Sequence, residues 1–259
     1  MNFIIGDIGN TITKICLVKS ENYKIKKIIY LNSKKILSNK NLVSVFKKVI
    51  KKNNINKFAL FSSVVPKYQF LLKSFLKRKY KITLIEIKDK KIRKIIKINI
   101  KNKKQVGSDR LANAVGVYKR YKKNTIVLDF GTATTFDVVT GQGVYIGGVI
   151  APGINLSIKS LSTFADQIPL FLIKKQKKVV GKNTTEALRS GFYWGYLGLI
   201  NNVISKIEKE TKKKYKIVFT GGYADLFKTS IIRPFTIDRN ITIKGIIEIF
   251  KENKKYLNK

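Results

Sequence analysis

Two short turns carry the residues best suited to chemistry in this 259-residue chain. Asp7-Ile8-Gly9-Asn10-Thr11 follows the apolar run Phe3-Ile4-Ile5, and Asp129-Phe130-Gly131-Thr132-Ala133-Thr134-Thr135 follows Ile126-Val127-Leu128. In each, an apolar strand ends on an aspartate, turns at a glycine and leaves on a second apolar strand. Exposed backbone N–H groups beside hydroxyls make a concave anion site, and a glycine lets the backbone approach a ligand closely. An aspartate at the strand end can hold a hydrated Mg²⁺ beside phosphates bound there. Two such turns in two halves of one chain predict a nucleotide gripped between related domains.

The elements that must position these turns also recur. Residues 2–6 and 12–18 read as strands around the first turn, and 26–30 as a third strand of an antiparallel meander. Leu42, Val43, Phe46 and Ile50 have helical spacing, 58–62 reads as a buried strand, 68–77 as a helix and 81–87 as a strand. The lysine-dense segment 88–104 reads as an exposed, mobile connector. Gly107-Ser108-Asp109-Arg110 then opens a helix running through Tyr121. The second half restarts with strands at 125–128, 136–140 and 144–147, a glycine-rich segment to Gly153, and a helix. Another helix follows Asn183-Thr184, with Gly191, Gly195 and Gly198 allowing close packing, and a strand at 216–220 ends at Gly221-Gly222. The segment 242–256 reads as a helix fraying into a basic tail. A boundary near residue 122, with no Pro/Ser linker, predicts a packed hinge between domains 1–122 and 123–259 and an internal duplication of topology.

Composition narrows the function. Apolar content of 44% marks a globular chain. No apolar stretch is long enough to span a membrane, and the N-terminus lacks the basic start of a signal peptide. The lone Cys16 fits a core position in a reducing compartment, so a cytoplasmic protein is expected. With no histidine, Ser-His-Asp and Cys-His chemistry is excluded and base work falls to one of fifteen carboxylates. Asp7, Asp109, Asp129 and Asp137 stand in or beside the glycine motifs. The net charge of +39 invites nucleic acid as a partner. Of the 54 basic residues only seven are arginine, and the remaining 47 lysines are spread along the chain. Arginine is the residue that reads bases and forks phosphates, so a specific nucleic-acid site is not expected, although polyanions should bind at low salt. Gly181-Lys182-Asn183 fails the P-loop pattern, and Gly141-Gln142-Gly143 fails the dinucleotide fingerprint at Ile146.

At this point the residues resemble a known family. Asp7-Ile8-Gly9-Asn10-Thr11-x-x-Lys14, Val106-Gly107-Ser108-Asp109-Arg110, Asp129-Phe130-Gly131-Thr132-Ala133-Thr134-Thr135, Tyr145 to Gly153, and Asn183-Thr184 are similar, in order, to the motifs of type III pantothenate kinase. The resemblance spans Met1 to Gly222. It implies an α/β fold of two ribonuclease-H-like (actin-like ATPase) domains in duplicated arrangement, with the active site between them. It further implies a homodimer and ATP-dependent phosphorylation of pantothenate, the first step of coenzyme A biosynthesis.

The resemblance also implies roles. The stretch Asp7-Ile8-Gly9-Asn10-Thr11-Ile12-Thr13-Lys14 corresponds to an ATP phosphate site, with Lys14 as a point charge and Asp7 positioning Mg²⁺. Asp129 corresponds to the ligand of a monovalent cation, K⁺ or NH₄⁺, and Thr132 to an ATP contact. Asp109 corresponds to the catalytic proton acceptor; a carboxylate with an ordinary pKa near 4 is ionised at neutral pH and can accept a hydroxyl proton. A helix-opening aspartate favoured by the macrodipole explains the same position without catalysis. Gly107, Ser108, Asp109, Arg110 and Thr184 match pantothenate-contacting positions. Arg110 could bind substrate, stabilise the transferring phosphoryl group or make a salt bridge, and Thr184 could cap its helix. Gly221-Gly222 resembles the superfamily's adenosine-side turn. Ile100, Lys103, Gln105 and Ser108 stand where the family often has Tyr, Pro, Glu and Ala. That departure keeps two alternatives open: a same-fold kinase for another small alcohol, or a non-catalytic regulator.

Overall fold

The computed structural model describes residues 1–50 and 53–257. They form two compact units: Met1–Tyr121 together with the segment from Asn240 onward, and Lys122–Arg239.

The first unit opens with β1 (Asn2–Ile8), β2 (Ile12–Lys19) and β3 (Ile25–Asn32), an antiparallel meander. After helix α1 (Asn39–Ile50), strand β4 (Ile55–Ser63) lies parallel to β1; after α2 (Pro66–Tyr80), β5 (Thr83–Glu86) lies parallel to β4. The sheet order is therefore β3-β2-β1-β4-β5. β1 is central and buried on both faces, which suits its almost unbroken apolar run. Ile4, Ile8, Phe61, Phe46 and Leu72 share one core cluster with other residues of the sheet and the first two helices. Pro66 stands in the first turn of α2, where its missing N–H costs nothing, and Lys81 closes that helix in the left-handed region (φ 57°).

The expected mobile connector is instead anchored. Ile92 and Ile96 are buried, a short strand β6 (Lys97–Ile98) and a 3₁₀ turn (Lys103–Gln105) follow, and helix α3 (Ser108–Tyr121) begins directly after. Counting lysines hid the two isoleucines that fasten the segment.

The second unit repeats the plan with β7 (Thr125–Phe130), β8 (Ala133–Val139) and β9 (Val144–Pro152), helices α4 (Ile154–Phe164) and α5 (Thr184–Thr211), then β10 (Lys216–Gly221) and β11 (Phe235–Ile237). Within this unit the order is β11-β10-β7-β8-β9, the same 5-4-1-2-3 arrangement as in the first. β7, β10 and β11 are parallel, and β7-β8-β9 form the antiparallel meander. Its core gathers Leu128, Phe136, Tyr193, Ile200 and Phe219. The glycines of α5 do not serve close packing: a methyl group on Gly191, Gly195 or Gly198 would meet open space.

The chain then returns to the first unit in α6 (Ile241–Glu252) and α7 (Lys254–Leu257). The expected helix is present and largely core, since Ile243, Ile246, Ile249 and Phe250 are buried, while Lys254 and Lys255 near its end are exposed; residues 258 and 259 lie outside the described structure. Phe250 stacks on Phe3 of β1 with ring centroids 3.7 Å apart, and Asn253 accepts from Arg93 N at 2.7 Å. α6 packs on α3 so tightly that a methyl on Gly245 would overlap the Ala112 carbonyl. Beside it, Thr242 Oγ1 donates to Asn113 Oδ1 at 2.7 Å. Gly245→Ala should therefore lower stability by about 1–3 kcal/mol in urea unfolding; an unchanged midpoint would contradict this account of α3's anchoring.

Candidate active site

The first turn is built from the ends of β1 and β2. Asp7 pairs with Lys14 and Ile8 with Thr13, and Gly9 N donates to Ile12 O at 3.1 Å, leaving Asn10, Thr11 and Ile12 exposed. A residue the sequence did not point to holds this turn. Ser33, fully buried, donates through Oγ to Gly9 O (2.7 Å) and shares a hydrogen bond with Thr13 Oγ1 (2.9 Å). Its backbone N–H donates to Thr11 O at 2.9 Å. Ser33 lies beyond β3, and only the strand pairing brings it here. Cys16, two residues past Lys14, has its thiol pushed up to about 12 by burial, against the pull of Lys14's charge and with the push of Asp7's. It is a core residue, not a nucleophile.

The head of α3 is a second polar cluster of this unit. Asp109 stands in its first turn, and its Oδ1 accepts from Arg110 N at 2.8 Å. Burial raises its pKa above the ordinary aspartate value, and the Arg110 N–H and charge, with Lys88's charge, only partly counter that. A methyl on Gly107 would come within 2.6 Å of Asp109 Oδ1, so the glycine leaves the carboxylate its place. The same position abuts Val64, just past the end of β4. From β5, Glu86 is also raised by burial while Ser108, Lys88 and the Ser63 N–H favour its charge. Lys88 reaches back to donate to Val106 O (2.8 Å) and Lys104 O (3.0 Å). Glu86 and Lys88 thus bracket the entry to α3; neither belongs to a short motif, so spacing gave no signal for them.

In the second unit, Asp129 is the next-to-last residue of β7, in register with Thr220 of β10 and opposite Thr135 of β8. Gly221 has φ 86°, a left-handed conformation that side chains rarely adopt, and a methyl there would also approach Asp129 Oδ1 to 2.7 Å. Gly131 and Thr132 are exposed at the turn, whose shape is kept by Gly131 N to Ala133 O and Gly153 N to Thr132 O, each 3.1 Å. Thr184 is the first residue of α5, but the cap is Asn183, whose Oδ1 accepts from Glu186 N at 2.9 Å. Glu186 answers by accepting from Lys182 N and Asn183 Nδ2. Thr184 is thereby spared for a cavity of about 640 Å³ that it lines with Pro152, Phe192, Tyr196, Gly191 and Gly195.

The expected residues therefore fall into local groups: Asp7 to Lys14 and Gly107 to Arg110 in the first unit, Asp129, Thr132 and Thr184 in the second. In the first unit, both groups stand at the carboxyl end of the parallel strands, where ligands of open α/β sheets bind. In the first unit, a glycine turn, a half-buried carboxylate of raised proton affinity and a lysine are parts that phosphoryl transfer to a hydroxyl uses.

Comparison with known proteins agrees with this chemistry. The family model described as type III pantothenate kinase matches residues 3–206. The type III pantothenate kinase of Pelagibacter ubique (strain HTCC1062) is 51% identical over 246 residues, covering 94% of this chain and 96% of its own. That of Paramagnetospirillum magneticum (strain ATCC 700264 / AMB-1) is 40% identical over 195 residues, 75% of each chain. Solved structures share the fold at low identity. Component A of (R)-2-hydroxyglutaryl-CoA dehydratase from Acidaminococcus fermentans has a TM-score of 0.53 at 11% identity, covering 100% of both chains. The Lmo2764 protein of Listeria monocytogenes has 0.51 at 13%, covering 98% of this chain and 100% of its own.

Removing the Ser33 hydroxyl leaves the Gly9 carbonyl and Thr13 without a buried partner. Ser33→Ala should lower stability by about 1–3 kcal/mol in denaturant titration; a loss below measurement would show that the turn stands without this tie.

Proposed function

The chain belongs to the type III pantothenate kinase family, and on that premise we propose how its residues divide the work. The reaction moves the γ-phosphoryl group of ATP to the terminal hydroxyl of pantothenate, yielding ADP and 4'-phosphopantothenate, the first step of coenzyme A biosynthesis. Asp109 takes the proton as the hydroxyl oxygen bonds to phosphorus. The observation that carries this assignment is the half-buried carboxylate at the head of α3, its proton affinity raised above that of an exposed aspartate. A base titrating closer to neutrality accepts a proton more readily in the transition state. Arg110, adjoining it, meets the charge on the transferring group or the pantothenate carboxylate; Gly107, Ser108 and Thr184 contact pantothenate.

Both glycine turns serve one ATP in this reading. The backbone from Asp7 to Thr13 cradles phosphate oxygens, Lys14 adds a positive charge, and Thr132 contacts the nucleotide from the second turn. Gly221-Gly222 offers bare backbone to the nucleoside, which the left-handed Gly221 supports. Asp7 would hold Mg²⁺, which supplies charge neutralisation of the phosphates when bound. Asp129 would hold K⁺ or NH₄⁺, hard cations that want oxygen ligands; its carboxylate lies over Gly221, where a side chain would crowd it. The domain reading, with a nucleotide shared by halves of one ancestral plan, is supported by the matching strand orders. A homodimer would cover exposed apolar residues of the second unit, among them Phe164, Leu170 and Leu172. No described helix is long and apolar enough to cross a membrane, and a lone buried thiol suits the cytoplasm.

The test is 4'-phosphopantothenate formation from ATP and pantothenate with Mg²⁺ and K⁺, wild type beside Asp109→Asn. The substitution should lower kcat by roughly 10²–10⁴-fold and leave ATP affinity and folding intact. Turnover close to wild type in Asp109→Asn would remove Asp109 as the base.

A further inference from the structure

Ser62 occupies the next-to-last position of β4, in parallel register with Asp7 of β1, which is itself opposite Lys14 of β2. Register partners project from the same face of a sheet, with strands about 4.8 Å apart. Lys14, Asp7 and Ser62 therefore make one row across three strands, at the end of β1 where the glycine turn begins. Phe61, one residue earlier, points to the opposite face and joins the apolar core. Ser63, one residue later, is engaged with Val65 at the entry to α2, accepting from its N–H at 3.2 Å.

Ser62 has no such engagement. It is 0% exposed, and among the described residues its Oγ has no hydrogen-bond partner. A buried hydroxyl left unpaired costs free energy, and native proteins rarely keep one without a water, ion or ligand to meet it. Alanine would fill the position at lower cost. The hydroxyl therefore contributes nothing to the fold taken alone. Its neighbours in the row, a carboxylate and an ammonium group, have the chemistry to receive a hydrated divalent cation and a phosphate.

We propose that Ser62 is a further binding residue of the first phosphate turn, its hydroxyl hydrogen-bonding the hydrated magnesium–phosphate group that Asp7 and Lys14 receive. Serine suits the position because its hydroxyl rotates, donating to a phosphate oxygen or accepting from a water on the cation. The role is to orient the nucleotide, and Ser62 takes no part in proton transfer. The proposal rests on the reading of the Asp7 turn as the Mg·ATP site.

The experiment compares Ser62→Ala and Asp7→Asn with wild type in two measurements: thermal unfolding without nucleotide, and calorimetric ATP binding with Mg²⁺ and with EDTA. Ser62→Ala should unfold at the same or a higher temperature, because it deletes an unsatisfied group. It should bind Mg·ATP roughly tenfold more weakly, the scale of one lost hydrogen bond to a charged group, with a smaller change in EDTA. Wild-type affinity for Mg·ATP would overturn the proposal and assign the hydroxyl to interior water. A lower unfolding temperature would overturn it too, by giving the hydroxyl to the fold. Asp7→Asn separates the two readings. If it weakens Mg·ATP binding while Ser62→Ala does not, only Ser62 is wrongly placed. If it leaves the Mg²⁺ dependence unchanged, the reading of the turn itself fails.

Discussion

Burial of the central strand on both faces is the constraint from which each half of this protein follows. β1 and β7 lie in the middle of their sheets with apolar residues on either side, and nothing polar can be accommodated along most of their length. Polar groups are thereby driven to the carboxyl ends. Asp7 and Asp129 take equivalent places there, and the glycine after each lets the chain reverse into the next antiparallel strand. The same fold logic aligns Ser62 with Asp7 and Thr220 with Asp129, since a parallel neighbour on one side is part of the plan. What distinguishes the halves is the helix head. The first unit sets an aspartate with raised proton affinity into the opening turn of helix α3.

The carboxylates show how one chain places similar groups in unlike states. Burial pushes Asp109 upward, and two backbone N–H groups with the charges of Arg110 and Lys88 do not offset it. Burial pushes Glu208 upward as well, but Arg233 at 2.5 Å, the Tyr215 N–H and Lys214 together bring it below the ordinary value. The difference lies in the kind of partner: a guanidinium hydrogen-bonds Glu208 directly, whereas the hydrogen bonds that favour the charge of Asp109 come from backbone N–H groups. A carboxyl whose folded pKa exceeds its unfolded one favours the fold while protonated, and that contribution is lost as pH rises through the folded value. Asp109 is therefore a local cost at neutral pH, met by the α3–α6 packing at Gly245 and Asn113. The surrounding excess of lysine, with a net charge of +39, draws polyphosphates such as ATP toward the surface without specifying where they bind.

Most of the architecture was legible because periodicity and turn chemistry agree locally. The two glycine turns, the strand meanders and the opening of α3 at Gly107-Ser108-Asp109 are read from neighbours in sequence. What escaped reading depends on distant contacts. Ser33 matters only because β2 and β3 pair, and Glu86 and Lys88 only because β5 ends beside the entry to α3. Segment 88–104 looked mobile because its lysines outnumber the two isoleucines that hold it down. The spacing of the α5 glycines suggests packing positions, yet all three face open space, Gly191 and Gly195 at the Thr184 cavity. Sequence allows Thr184 to cap its helix, but Asn183 is the residue whose side chain does so.

The proposed base, Asp109, has its proton affinity raised by burial. The pH dependence of kcat/KM for pantothenate tests it most directly. A base must be ionised to act, so a raised pKa moves the loss of activity on acidification to a pH above the ordinary aspartate range, about 3.9. An acid limb displaced upward in this way is expected. Activity that persists down to the ordinary aspartate range, with no limb above it, would rule out Asp109 as the proton acceptor.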